Sequence, residues 1–372
     1  MSSVPSRLKA LMGVVWVLLV GCAQTVTHPG RGRVPTDASR AESFALEIDK
    51  LRITHRIPGL AVVVLRGSDV VLAKGFGEAD LERHIPVTPD TPFDIASVTK
   101  PISAIVALKL VELGQLDLDR PMAQYSGFSE FAADARKNGG FFFEDFAQAP
   151  PALTLRHVLS MQANGRPGNR FFYNPPSYSW ASRPISEAAG KPFSDLTRDY
   201  VFLPSGMDHS ARKHRNLTLP PALASSLAHP YHSDASGQFH RSKQIAPQGD
   251  GAAGGVVSTA RDLARFDIAL TQGRLLTPES QQLMWTPGKG PGGVELPYGL
   301  GWFIKDYKGE RILWHTGLWE SAYSALYLKV PSRGLTLILL ANSDGLRWDN
   351  ALDEAAIEKS PFAVAFLSGF PR

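Results

Sequence analysis

The chain has 372 residues, with 39 Lys and Arg against 35 Asp and Glu, for a formal net charge of +4. That mild basicity, with no zinc-ligand spacing and no long basic tract, argues against nucleic acid as a partner. A lone cysteine, Cys22, excludes a disulfide framework, and the length allows a large core in one or two subdomains.

Arg7 and Lys9 precede an apolar run from Ala10 to Gly21 that ends in Leu19-Val20-Gly21-Cys22. A basic start, a short hydrophobic stretch and small residues before the cut predict a secretory leader over residues 1–21. The run is shorter than the roughly twenty apolar residues of a membrane span. Its end resembles the bacterial lipobox, which implies that Cys22 carries lipid and ties the protein to the membrane of the cell envelope. Ala23, rather than Asp, after that cysteine implies the periplasmic face of the outer membrane. Residues 22–40 hold few large apolar groups and read as a flexible tether. Cleavage before Cys22 removes Arg7 and Lys9 and takes the formal charge from +4 to +2. Residues 41–372 remain for the folded domain.

Leu60–Leu65 and Val70–Phe76 are β-rich runs joined by Arg66-Gly67-Ser68-Asp69, a hairpin with Gly67 at the turn. From Ser97 to Leu113 the chain is apolar over most of its circumference, which predicts a buried helix stopped by Gly114. Pro101 falls in its first turn, where an amide has no intrahelical acceptor anyway. Between about residues 117 and 250, helical pieces alternate with Pro- and Gly-rich loops. Thr259 and Asp262 have capping-box spacing ahead of a helix running toward Gly273. Strands are expected at Leu300–Ile304, Arg311–His315, Ala322–Leu328 and Leu335–Leu340, then a final helix over Asp349–Lys359. Strands at both ends with helices between them give an α+β fold: one sheet built from the two termini, with a helical region inserted.

The chemistry starts at Ser97-Val98-Thr99-Lys100. If Ser97 opens a helix, Lys100 lies one turn on and shares its face, so an amine reaches the hydroxyl without help from another segment. A serine is a weak nucleophile until a base takes its proton, and a lysine serves as that base only when its pKa is lowered. The same spacing at Ser6/Lys9 and Ser210/Lys213 lacks this setting. The first falls in the leader and the second in the basic stretch Ala211–Arg215, which reads as loop.

Thr91–Asp119, with Ser97 and Lys100 inside it, resembles the serine beta-lactamase and penicillin-binding-protein superfamily, most closely its class C-related, esterase-containing branch. Leu153–Ser160, Pro167–Tyr173, Gly254–Phe266, Tyr298–Trp302 and Trp314–Gly317 match in the same order, so the resemblance runs from about Ala41 to Asp344. It implies an antiparallel sheet flanked by helices beside an all-helical subdomain, with the active site in the cleft between them. Ser97 would stand at a helix start and His315 on the edge strand.

On this resemblance Ser97 is the nucleophile and Lys100 the activating amine. Tyr173, favoured over Tyr178, is a second base whose pKa is lowered beside Lys100. The family's Tyr-x-Asn reads here Tyr173-Asn174-Pro175, and proline offers neither a side-chain hydrogen bond nor an amide hydrogen. Asn174 points elsewhere and is not expected to replace the missing asparagine. His315-Thr316-Gly317 resembles the Lys-Thr-Gly strand in its histidine form, and a mostly neutral histidine relaxes the demand for an anionic substrate. Gly317 lets substrate approach the strand closely, beside Thr316. The backbone amides of Ser97 and Leu318 are the expected oxyanion hole, and Trp319 and Glu320 the mouth. His229 and His232 have no third ligand nearby and read as loop, so neither metal nor cofactor is expected. Without a Gly-x-Ser-x-Gly elbow an α/β-hydrolase is disfavoured. The expected activity is a serine hydrolase acting on small esters. Beta-lactam or D-amino-acid amide substrates are the alternatives, and a non-catalytic binder of cell-wall peptides is the reading from another class.

Overall fold

A computed structural model describes residues 36–147, 152–244, 246–349, 352 and 354–371. The leader, Cys22 and most of the tether lie outside the described residues. Helix α1 (Asp37–Thr54) comes first, with the Thr36 hydroxyl accepting from the Ser39 amide at 3.3 Å. The tether reading is thereby corrected at its end. Residues 37–40 are helical, and Asp37 is gripped by the Arg66 guanidinium at 2.5 and 2.9 Å.

The two ends of the chain build one sheet. Strands β1 (Gly59–Arg66) and β2 (Asp69–Asp80) form the expected hairpin, and Gly67 takes the left-handed conformation (φ 60°) at its turn. The short strand β3 (Ile85–Pro86) extends it. A smaller sheet uses β4 (Pro92–Asp94) and β5 (Ala211–Arg212). Beyond a ribbon of β6 (Tyr231–Ser233) and β7 (Phe239–Arg241), β8 (Val256–Thr259) supplies its middle strand. The region between residues 117 and 250 alternates helical pieces with loops and also carries three short strands. Strands β9 (Phe303–Tyr307), β10 (Glu310–Trp319), β11 (Tyr323–Val330) and β12 (Leu335–Ala341) complete the large sheet in the order β3-β2-β1-β12-β11-β10-β9. Every described ladder is antiparallel.

Burial explains why the central strands read as unbroken apolar runs. Leu60 to Leu65 on β1 and all of β11 and β12 are buried on both faces, so alternation is lost. Helix α2 (Thr99–Glu112) is buried without a break from Thr99 to Leu108, which places its one charged side chain there, Lys100, in the core. The last helix is not over Asp349–Lys359. Residues 357–359 make only a 3₁₀ turn, and the helix spans Pro361–Gly369, started by a Ser360 cap and a proline in its first turn. Phe366 and Phe370 then pack on Phe44 of α1. Thr259 caps its helix as expected, accepting from the Asp262 amide at 3.0 Å, but the buried Asp262 carboxylate accepts from the His209 amide at 2.7 Å instead of closing the box.

One register detail positions the site. β10 is second from the edge, not the edge strand, yet its ladder with β9 stops at the pair Trp314–Phe303. From His315 onward that side of β10 is open.

Candidate active site

Ser97 sits in a 3₁₀ turn (Ala96–Val98) that runs into α2, and its hydroxyl caps no amide. Its partner is Lys100, whose Nζ lies 2.8 Å from Ser97 Oγ. The turn is held under strain. Ala96 adopts φ 46°, a left-handed conformation costing a non-glycine residue about 1 kcal/mol or more. Asp94 pins it by accepting the Ala96 amide at 2.9 Å, and the same oxygen accepts the Trp319 indole at 2.9 Å.

Lys100 is fully buried, and burial pushes its amine well below the ordinary lysine range. Its second polar partner is the Ala253 carbonyl at 3.1 Å. The rings of Tyr173 and Tyr178 flank it, with centroids at 5.1 and 5.5 Å. Tyr178 is spoken for, donating to the Lys100 carbonyl at 3.0 Å. Tyr173 borders the cavity, and its buried hydroxyl lies beside Ser97 without a directed hydrogen bond. The expectation that Lys100 lowers its pKa is overturned. Burial raises the phenol, and the neighbouring Ser97 hydroxyl offsets this only in part.

A cavity of about 520 Å³ opens over Ser97, lined on the strand side by Thr316, Gly317, Leu318 and Trp319, with Glu320 at the end of that strand. The open end of β10 packs directly on the serine turn, where a Cβ on Gly317 would stand 2.2 Å from the Ile95 carbonyl oxygen. Only glycine permits that approach. Pro175 and Pro176 also line the cavity. Asn174 faces away as expected. It caps a short helix through the Ser177 amide (3.0 Å) and donates to the Phe142 carbonyl (2.7 Å) and Asn164 (2.9 Å).

His315 departs from its expected place. Its ring is fully buried and does not line the cavity. Nδ1 lies 2.6 Å from the Thr316 carbonyl oxygen, which can only accept, so Nδ1 carries the hydrogen. Nε2 then accepts from Tyr298, whose hydroxyl is 2.8 Å away. Burial holds this imidazole well below its usual range. Tyr298, 17 residues upstream, could be sought only within the Tyr298–Trp302 block, and no spacing rule ties it to His315.

His229 and His232 do not come together. His232 meets Ser242 at 2.9 Å, while His229 faces Asp80 at 3.0 Å with Glu82 nearby, acidic neighbours the sequence did not reveal. Arg83 already engages that Asp80 oxygen and Tyr231 the Glu82 oxygen, while Arg241 takes the other ring nitrogen of His229, Nε2. The cluster ties the end of β2 to the segment before β6.

The chain is 26% identical over 336 residues to "Penicillin-binding protein 4*" of Bacillus subtilis (strain 168), covering 81% of this chain and 72% of that protein. It spans 62% of the length of each of two further curated relatives. The solved class C beta-lactamase from Rhodobacter sphaeroides superposes with a TM-score of 0.67 at 19% identity, over 88% of this chain and 99% of that one. EstCE1, described as a hydrolase with promiscuous acyltransferase activity, gives 0.65 at 18% identity over 88% and 98%. These structures establish the fold. The family model described as Beta-lactamase matches residues 44–360, and the chain belongs to that family, whose members are serine hydrolases.

Proposed function

We propose that this protein hydrolyses small carboxylic esters with uncharged, largely apolar acyl groups through a Ser97 acyl-enzyme. One observation carries the reading: the buried Lys100 amine, held well below the ordinary lysine range, lies 2.8 Å from Ser97 Oγ at a cavity lined largely by apolar side chains such as Pro175, Leu318, Leu346 and Trp348. Pro175 stands where the family places an amide side chain, and the neutral His315 is sealed behind the strand.

In the first half-reaction Ser97 Oγ bonds to the substrate carbonyl carbon as its proton passes to the Lys100 amine. The carbonyl oxygen becomes an oxyanion between the amides of Ser97 and Leu318, beside Thr316, Gly317 and Trp319. Collapse breaks the carbon–alcohol bond. The departing alkoxide takes a proton from the Tyr173 hydroxyl, which Lys100 restores. Water then attacks the acyl carbon, returns its proton through the same pair and releases acid and free Ser97. Tyr173, kept neutral by burial, acts as a proton relay rather than a resident phenolate. His315 acts through position: it ties the Thr316 carbonyl to Tyr298 and adds no charge beside Lys100.

A second reading has one observation in its favour. Arg347 is the one Lys or Arg among the described lining residues, held to Glu320 by a long 3.8 Å contact. It would suit a carboxylate-bearing beta-lactam or D-amino-acid amide. Initial rates on p-nitrophenyl butyrate, a penicillin and a D-amino-acid amide test both readings. The ester should dominate kcat/KM, and a dominant Arg347-dependent amide or lactam rate would reverse the order. The intact Ser97–Lys100 contact speaks against a non-catalytic binder. Lipid anchorage at Cys22 remains our proposal from the leader alone; palmitate labelling should vanish in Cys22→Ala.

A further inference from the structure

Arg212 ends β5 and Lys213 follows it, so extended backbone sends their side chains to opposite sides. In the sequence both fall in a basic stretch that reads as loop, where such residues are solvated. The structure buries them, at 3% and 6% exposure. Arg212 Nε donates to Asp250 at 2.9 Å, and Nη2 donates to the carbonyls of Gly251 (2.7 Å) and Gly254 (3.2 Å). Phe193 lies under the guanidinium at 4.9 Å, and the other Asp250 oxygen accepts the Ser194 amide at 2.6 Å. The two carbonyls bracket Ala252 and Ala253. Ala252 accepts from Ser103 at 2.6 Å, and Ala253 is the carbonyl on Lys100.

Lys213 works on the other side. Its Nζ makes an ion contact of 3.1 Å with Asp94, the carboxylate that pins the strained Ala96 amide and the Trp319 indole. Its own amide donates to the Gly255 carbonyl at 2.7 Å, and Gly255, at φ 93°, sits where a Cβ would meet the Lys213 carbonyl oxygen at 2.8 Å.

We propose that Arg212 and Lys213 are paired positioning residues that hold, from opposite sides, the two backbone segments presenting Lys100 and Ser97 to each other. A neutral amine has two hydrogens and one lone pair. Giving one hydrogen to Ala253 turns the lone pair toward the Ser97 hydroxyl, and Arg212 fixes the loop that carries Ala253. A displacement of about 1 Å in such a contact costs about 100-fold in rate. The same loop keeps water from Lys100, so releasing it rehydrates the amine and moves its pKa up. The inference rests on the Ser97–Lys100 reading above.

The test uses detergent-solubilised full chain, with kcat, KM and the pH profile of kcat/KM on p-nitrophenyl butyrate. Fluorophosphonate labelling counts competent sites, and far-UV circular dichroism reports folding. Arg212→Met should lose about 100-fold in kcat with little change in KM, and its acid limb should move to higher pH. Lys213→Met should lower kcat without moving that limb. Adding Asp94→Asn to it should restore most of the activity, because the amide oxygen still accepts from Ala96 and Trp319. Exposed Arg215→Ala should match wild type. If Arg212→Met fails to fold, Asp250→Asn keeps both carbonyl bonds and should shift the limb less, in the same direction. A folded Arg212→Met or Asp250→Asn with the wild-type limb, or activity lost only in proportion to unfolded protein, overturns the proposal. Absence of any fluorophosphonate adduct on wild type would instead sink the Ser97 reading and take this proposal with it.

Discussion

Two parts of the cavity lining are built differently. The wall carrying Ser97 is dense with directed bonds: Lys100 to Ser97 and Ala253, Asp94 to Ala96 and Trp319, and Arg212 to Gly251 and Gly254. The lining contributed by Pro175, Pro176, Leu346 and Trp348 offers shape and apolar surface, with Arg347, between the last two in sequence, and its partner Glu320 as charged lining residues. The first wall fixes what bond is broken, because acyl transfer needs an amine and a hydroxyl held within a fraction of an ångström. The second fixes which acyl group is accepted, and such a wall changes by substitution without disturbing the chemistry.

That division orders the expected effects of mutation. Ser97→Ala should lower ester kcat by about 10⁴-fold or more, read in a p-nitrophenyl butyrate assay. Lys100→Met should cost about 10³-fold in kcat, within the range for a general base. Burial lowers the folded-state pKa of this amine, so below the ordinary lysine range the unfolded chain binds more protons than the folded one. Stability is then lost as pH falls through that window, and removing the amine relieves the penalty. The Tm of Lys100→Met at pH 7 should rise by about 2 °C, as calorimetry would show. For the wild type, the acid limb of kcat/KM against pH should lie well below the ordinary lysine range; a limb at that range would mean a solvated, charged Lys100. Tyr173→Phe should reduce kcat about 100-fold, since the relay proton is gone while the ring remains. In the apolar lining Trp348→Ala should shift the preferred acyl chain length, with specificity ratios moving about 10-fold. The smallest effect is expected of Pro175→Asn: unchanged ester turnover and a gain in penicillin acylation of at most about 10-fold.

What the sequence revealed and what it hid follow the range of the interactions. Ser97 and Lys100 are one helical turn apart, and local spacing sufficed to pair them. The sheet was legible because β1, β11 and β12 are unbroken apolar runs. Arg212 and Lys213 were illegible because their partners, Asp250 and Asp94, lie 38 and 119 positions away. Beside His214 and Arg215 they read as surface charge. The Tyr173 expectation failed for a related reason. It assumed a charged Lys100, and a chain shows proximity in sequence but not depth of burial. His315 was misplaced because the early stop of β9 and the upstream Tyr298 decide where its ring goes. The last helix starts later than expected because Ser360-Pro361 is a stronger start signal than anything in Asp349–Lys359.

The most direct test of a Ser97 activated by a neutral Lys100 is time-resolved intact mass of the full chain with a fluorophosphonate at pH 7, beside Ser97→Ala and Lys100→Met. One adduct should form on wild type and map to Ser97, none on Ser97→Ala, and labelling of Lys100→Met should slow by about 10³-fold. Equal labelling of wild type and Lys100→Met, or an adduct that persists in Ser97→Ala, would contradict it.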